Sequence, residues 1–273
     1  MSLPLQKHNL SYQYNGETIP FSVWSTSDVL RAKTIVFLGT VQIGKLPEWI
    51  AQSCPADTVV VQGAPHWLAK EDGTDIPVFM HLFSEEAFKA IFKTYNAQRV
   101  HIIADSQAVP GVLRLVSNVK YARDVDKITL LQPLGLNAEV FGSTARERTV
   151  VFKKRITQNF KYQITSLLFD RRLLHNHRQL LLTVGYDNAK SNAQYSAGLA
   201  YDATQDLKAI YAMRKKVVII CGGNDMIFPS KELQGTLRAN QLNIPIVVVP
   251  GVPHSPLATR LGIKLLNKAL EHF

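Results

Sequence analysis

The chain is poor in cysteine: Cys54 and Cys221 are the only two in 273 residues. Two thiols cannot make a disulfide framework, and neither has a metal-like partner nearby, so no metal site is expected and a reducing, cytoplasmic setting is. Long apolar runs are also missing. None approaches the roughly 20 residues that cross a bilayer, so no transmembrane segment is expected. The opening M-S-L-P-L-Q-K-H-N-L has no basic start followed by an apolar stretch, and no secretory leader is expected from it. No glycine-rich phosphate loop, internal repeat or low-complexity tract is present, and neither a cofactor nor nucleic acid is expected as a partner. Acidic residues are in deficit: 21 Asp and Glu face 31 Lys and Arg, a net charge of +10. Between Arg146 and Arg178, nine basic residues (Arg146, Arg148, Lys153, Lys154, Arg155, Lys161, Arg171, Arg172, Arg178) meet only Glu147 and Asp170, a local excess of +7. Such a patch either attracts an anionic partner or is a solvated helical face.

What is present is a rhythm. A hydrophobic content of 46% suits a globular chain long enough for one α/β domain with an insertion. Asn9 to Asn15 and Pro20 to Ser25 alternate polar with apolar residues around Asn15-Gly16, which predicts an antiparallel hairpin. Short β-branched runs at Thr34–Leu38, Thr58–Gln62, Val100–Ile103, Lys127–Leu131, Val217–Cys221 and Ile244–Val249 predict buried strands. Helical spacing separates them at Leu46–Cys54, Ser84–Tyr95, Val109–Val116, Ser230–Ala239 and Pro256–His272. Strands alternating with helices predict a mostly parallel central sheet with helices on both faces, the α/β class. Between 134 and 213 the strand rhythm stops and helical pieces appear, Val150–Leu174 and Asp202–Met213. The expected organisation is therefore a core of residues 1–133 and 214–273, interrupted by a helical lid at 134–213.

The chain is organised around R-V-H-I-I-A-D-S-Q-A-V-P, residues 99 to 110. A buried strand runs into Ser106, which has Ala104 and Ala108 two places to either side, and a helix follows. Small residues there suit a turn sharp enough to lift the serine oxygen above the sheet edge. A serine after a strand also serves as an ordinary helix cap. Two later strand ends add chemistry. Asp225 follows the strand ending at Cys221, and His254 lies just beyond the last strand in P-G-V-P-H. Singly, Asp225 suits a helix cap and His254 a loop histidine. Jointly, serine, aspartate and histidine fall at the carboxyl ends of three parallel strands, where open α/β sheets build their sites.

In these residues the sequence resembles the α/β-hydrolase family. The match rests on A-D-S-Q-A at Ser106, G-x-x-D-x-x-x-P from Gly222 to Pro229, and P-G-x-x-H ending at His254, and its strand order covers nearly the whole chain. The serine motif departs from G-x-S-x-G at Ala104 and Ala108. Leu38-Gly39-Thr40 stands where the family often has His-Gly-x, without the histidine. The resemblance implies a hydrolase in which Ser106 is the nucleophile, His254 the base and Asp225 its orienting acid. Backbone N–H groups of Gln107 and, by position, Thr40 would form the oxyanion hole. The expected substrate is a small-molecule acyl ester, with an anionic ester or an acidic acyl-carrier protein suited to the basic lid. Phe152, Phe160, Leu167, Leu168 and Phe169 are expected to shape an acyl pocket, with His66, Trp67, His81 and Phe83 along the cleft. A thioesterase and a non-catalytic binding protein on the same fold are the alternatives.

Overall fold

A computed structural model describes residues 5–14, 16–26, 31–39, 50–62, 85–167, 199–255, 257 and 259–271. Eight strands form one sheet: β1 (Leu5–Tyr14), β2 (Glu17–Thr26), β3 (Thr34–Phe37), β4 (Thr58–Gln62), β5 (Val100–Asp105), β6 (Val125–Leu131), β7 (Lys216–Gly222) and β8 (Ile246–Val249). Their spatial order is β1-β2-β4-β3-β5-β6-β7-β8. The hairpin β1–β2 pairs in a register that puts Tyr14 opposite Glu17. Gly16 takes φ +84°, the conformation a tight hairpin turn demands. β2 runs antiparallel to β4, and every pair from β4 to β8 is parallel.

The helices are α1 (Glu85–Thr94), α2 (Ala108–Val116), α3 (Val119–Ala122), α4 (Ala145–Leu167), α5 (Thr204–Ala212), α6 (Ser230–Ala239) and α7 (Arg260–Glu271). Residues 50–52 are helical, and the rest of the expected Leu46–Cys54 helix before them lies outside the described residues. Element boundaries match the sequence-based expectation within a few residues. α4 begins five residues earlier than Val150, because Glu147 closes its first turn by accepting from the backbone N–H groups of Ser143 and Thr144, at 2.8 and 3.0 Å. The short α3 and a 3-10 turn at Ala138–Phe141 had no expected counterpart. Both are under two turns, too brief for a periodic signal.

The apolar runs of the strands are continuous because both faces of the sheet are covered. Ile35, Phe37, Ile102, Ala104, Ile128, Leu130, Ile219 and Cys221 face one core, with Phe88 and Ile91 of α1, Val112 and Leu113 of α2, Leu207 of α5 and Leu233 of α6. The alternate residues Val36, Leu38, Ile103, Leu131 and Ile220 face a second core closed by Leu265, Leu266 and Ala269 of α7. This is the period-two alternation of a strand read against two hydrophobic layers. α2, directly after Ser106, is buried along almost its whole length, with Arg114 its exposed residue. Each of its buried valines and leucines contributes about 1.5–3 kcal/mol, so the helix that carries the serine turn is anchored firmly. Between β6 and β7 the described residues hold the 3-10 turn, α4 and α5 and no strand. None of the described helices is long and apolar enough to cross a membrane.

Candidate active site

The sheet delivers Ser106 at the carboxyl end of β5, one residue past Asp105. Its backbone has φ +48°, a left-handed conformation that costs a non-glycine residue energy and marks a tight strand-to-helix turn. The turn is held by Ser106 N–H donating to the carbonyl of Leu131 at 2.8 Å, and by the Ser106 carbonyl accepting from Val109 at 3.2 Å and Leu134 at 3.3 Å. Ala104 and Ala108 are both buried, so the methyl groups that replace the two glycines pack within the core. Pro110 and Gly111 fall in the first turn and a half of α2, where Pro110 leaves no helical bond unmade.

Asp225 is buried in the turn after β7. Its Oδ1 accepts from the backbone N–H groups of Ile227 and Phe228, each at 2.8 Å. Its Oδ2 lies 2.9 Å from Nδ1 of His254. The helix that follows begins at Ser230 with Pro229 at its cap position, so Asp225 does not cap it; one carboxylate ties the turn at Ile227 and Phe228 and holds the histidine. On the far side of the ring, His254 Nε2 lies 3.3 Å from Ser106 Oγ. A carboxylate can only accept, so Nδ1 carries the proton and Nε2 is left free to accept from the serine hydroxyl. Burial pushes His254 down, but the Asp225 carboxylate, by charge and by hydrogen bond, and the charge of Asp105 outweigh it and hold His254 above its ordinary value. Phe228 meets the imidazole edge-on, with centroids 5.3 Å apart. Both thiols are spectators: burial pushes Cys54 up to about 12 and raises Cys221 further.

The loop bearing His254 is laced to the end of β7. Gly223 N–H donates to Val249 at 2.8 Å and Asn224 N–H to Val252 at 2.9 Å. Gly222 has no room for a side chain, because a Cβ there would stand 2.0 Å from the carbonyl oxygen of Val252. The first glycine of G-x-x-D is therefore a packing requirement of the histidine loop.

Three further residues escaped the sequence reading. Gln132, at the end of β6, donates from Nε2 to the Ser255 carbonyl at 3.0 Å and accepts at Oε1 from Ser255 N–H at 2.8 Å. Asn159 of α4 does the same for His254, donating to its carbonyl at 2.9 Å and accepting from its N–H at 2.9 Å. Arg155 of α4 grips both oxygens of Glu232 at 2.8 and 3.0 Å and donates to the Ile227 carbonyl at 3.0 Å. Its guanidinium also lies 4.8 Å over the ring of Phe141. The one available signal was a polar pair on the buried stripe of a helix. Phe152, Arg155 and Asn159 share one face at helical spacing, and buried polar side chains require partners.

Several expectations need restating. Arg155, counted in the sequence as one charge of a free basic face, is mostly buried and neutralised by Glu232. Lys153 and Lys154 are exposed, so the free charge of this helix is smaller than the composition implied. Phe152 is buried in the core beside Phe141. Thr40 lies outside the described residues, as do His66, Trp67, His81, Phe83, Leu168, Phe169 and the side chains of Phe160 and Leu167. Gly39 is described, and its backbone passes close to the elbow: a Cβ there would sit 3.5 Å from the Gln107 nitrogen.

No protein-family model matches the chain, and no curated protein matches it by sequence. By structure it is similar to a thermophilic esterase from Thermogutta terrifontis, with a TM-score of 0.63 at 12% identity over 98% of this chain and 97% of that one. It is equally similar to a putative lipase from Acinetobacter baumannii AYE, with a TM-score of 0.63 at 13% identity over 98% of this chain and 93% of that one. The 2-hydroxy-6-oxo-6-phenylhexa-2,4-dienoate hydrolase of Rhodococcus sp. strain RHA1 gives a TM-score of 0.60 at 14% identity, over 97% and 100% of the two chains. At such identities the likeness is one of architecture, and with the mostly parallel eight-stranded sheet it gives the chain the α/β-hydrolase fold.

Proposed function

We propose that the protein is a serine hydrolase that cleaves carboxylic esters through an acyl-enzyme on Ser106. The observation that carries this reading is the continuous relay from Ser106 Oγ through the His254 ring to the buried Asp225. In the first half-reaction Ser106 Oγ attacks the ester carbonyl carbon while His254 Nε2 takes the hydroxyl proton. The carbonyl oxygen becomes an oxyanion, for which the Gln107 N–H at the start of α2 is one donor and the Thr40 N–H, next along the chain from Gly39, the second. Each such donor is worth about 3 kcal/mol in the transition state. Collapse breaks the bond to the alkoxide, which leaves as the alcohol with the proton held by His254. Water then repeats the sequence on the acyl-serine, releasing the acid and restoring Ser106. Asp225 keeps Nδ1 protonated throughout and stabilises the imidazolium. The 3.3 Å serine–histidine distance is at the long end for a hydrogen bond, as is common before substrate tightens the site.

The segment 134–213 acts in this reading as a lid, and the exposed side of α4, with Arg146, Lys153 and Lys154, favours an anionic acyl substrate or an acidic acyl-carrier protein. That side contributes to encounter only. Its effect fades with salt, because exposed charges are screened beyond about 8 Å at physiological ionic strength.

A fluorophosphonate probe tests the central claim, since it labels only an activated serine. Labelling of the wild type, lost in Ser106→Ala, is the expected result; an unlabelled wild type makes the chain a binding protein on a hydrolase fold. A panel of acyl esters and thioesters of varied length then separates esterase from thioesterase. On the best anionic substrate, Lys153→Glu with Lys154→Glu lowers kcat/KM, and salt lowers the wild-type value. A salt-independent rate means these lysines only solvate the helix.

A further inference from the structure

We propose that Asn159 is a positioning residue for His254, so that docking of α4 on the core and alignment of the catalytic base are one event. The proposal rests on the serine-hydrolase reading and adds a control of that site by α4. Asn159 is buried, and its amide satisfies both backbone polar groups of His254: Oδ1 accepts from the N–H and Nδ2 donates to the carbonyl, each at 2.9 Å. The same Oδ1 lies 3.4 Å from the N–H of Met226, the residue after the triad aspartate. One turn earlier on the same face, Arg155 donates to the carbonyl of Ile227, whose own N–H donates to Asp225. Two side chains of one helix thus hold the acid turn and the base loop together.

The histidine loop has a second grip from the core. Gln132 brackets the Ser255 backbone just as Asn159 brackets that of His254. The two grips differ in what they belong to. Gln132 extends from β6 and stays with the sheet, whereas Asn159 belongs to α4 and leaves with it. Undocking α4 would strand the N–H and carbonyl of His254 in a partly buried site, where unpaired polar groups are costly, and the loop would rearrange to satisfy them. The imidazole is already at the limit of reach from Ser106, so a small displacement breaks the relay. A reacting group misplaced by about 1 Å costs roughly 100-fold in rate.

The test uses the full chain and a short neutral p-nitrophenyl ester, with the fluorophosphonate probe as an independent reading of serine activation. Asn159→Ala should lower kcat roughly 100-fold and slow labelling in parallel, with KM within about twofold. The acid limb of its pH–rate profile should also move to lower pH, because a loosened His254 is held less well by Asp225. Thr157→Ala, an exposed change on the same helix, should leave all of these unchanged. If Asn159→Ala does not fold, Asn159→Asp serves, since it keeps the acceptor for both N–H groups while losing the donor to the His254 carbonyl; its kcat should fall in the same way, and only its kcat is read, because the added carboxylate itself shifts the pH profile. A folded Asn159→Ala with wild-type kcat and wild-type pH profile, or a folded Asn159→Asp with wild-type kcat, overturns the proposal. A wild type that neither turns over the ester nor takes the probe overturns the serine-hydrolase reading, and this proposal with it. An active wild type beside an equally active variant overturns the role of Asn159 alone.

Discussion

The serine turn and the histidine loop reach the same point in space by different means. Ser106 is fixed locally. A left-handed backbone, a bond to the neighbouring strand and an almost wholly buried helix on its far side hold it. His254 follows a short edge strand whose Val248 is exposed, and it is held by groups distant in sequence: Asp225, Asn159 and Gln132. The serine is thus part of the sheet's own geometry, while the histidine is set by tertiary contacts. Damage to the first should remove chemistry outright, and damage to the second should remove alignment.

The largest effect falls on the local side. Ser106→Ala should cut ester hydrolysis by several powers of ten while leaving the thermal midpoint close to wild type, since triad loss normally costs that much and the side chain carries little packing. A variant retaining more than about a tenth of wild-type turnover would place the nucleophile elsewhere. Asp225→Asn should follow, with a loss of about 10⁴ in kcat, because an amide at this place favours the wrong imidazole tautomer. Its effect on pH is also defined. His254 is held above its ordinary value of about 6.5, so the wild-type acid limb should have its midpoint above that pH. Any activity left in Asp225→Asn should have its midpoint lower; an unmoved midpoint would mean that another group is the base.

Gly222→Ala tests the seam between the two regions. The added methyl group would collide with the Val252 carbonyl and push the histidine loop away from β7. Activity should fall at least tenfold and the thermal midpoint by several degrees, as expected for overpacking worth about 1–3 kcal/mol. A variant with normal activity would show that the loop relaxes without moving His254.

The smallest effect is on stability alone. His101 is buried in β5 with Nε2 2.8 Å from Thr129 Oγ1, and burial, aided by Lys127, lowers it to about 4. Between pH 6.5 and 4 the unfolded chain therefore binds a proton at His101 that the native protein does not, so stability falls as pH falls through this window and is complete above it. His254 has the opposite sign, its contribution being present at low pH and lost as pH rises through its folded value. His101→Gln should lose less thermal stability than wild type between pH 7 and 4.5. Parallel curves for the two proteins would show that the acid sensitivity arises elsewhere.

Much of this was legible in the chain. The β-branched runs give the strands because a sheet covered on both faces needs apolar side chains at every position, and the two core layers divide those runs alternately. Ser106, Asp225 and His254 were legible because each lies within a few residues of a strand end, which sets its place before any contact is known. The need for glycine at 222 was not, since it comes from the Val252 carbonyl thirty residues on. What the sequence could not decide is which distant groups hold His254. Asn159 and Gln132 bond to backbone groups 95 and 123 residues away, and a backbone acceptor carries no residue type that a pattern could match. The basic charge of α4 misled for the same reason. Composition counts Arg155 with Lys153 and Lys154, but only the packed structure turns Arg155 inward to Glu232 and leaves the lysines to solvent. Local chemistry placed Ser106, Asp225 and His254 at the rim of the sheet; tertiary packing decided what holds them.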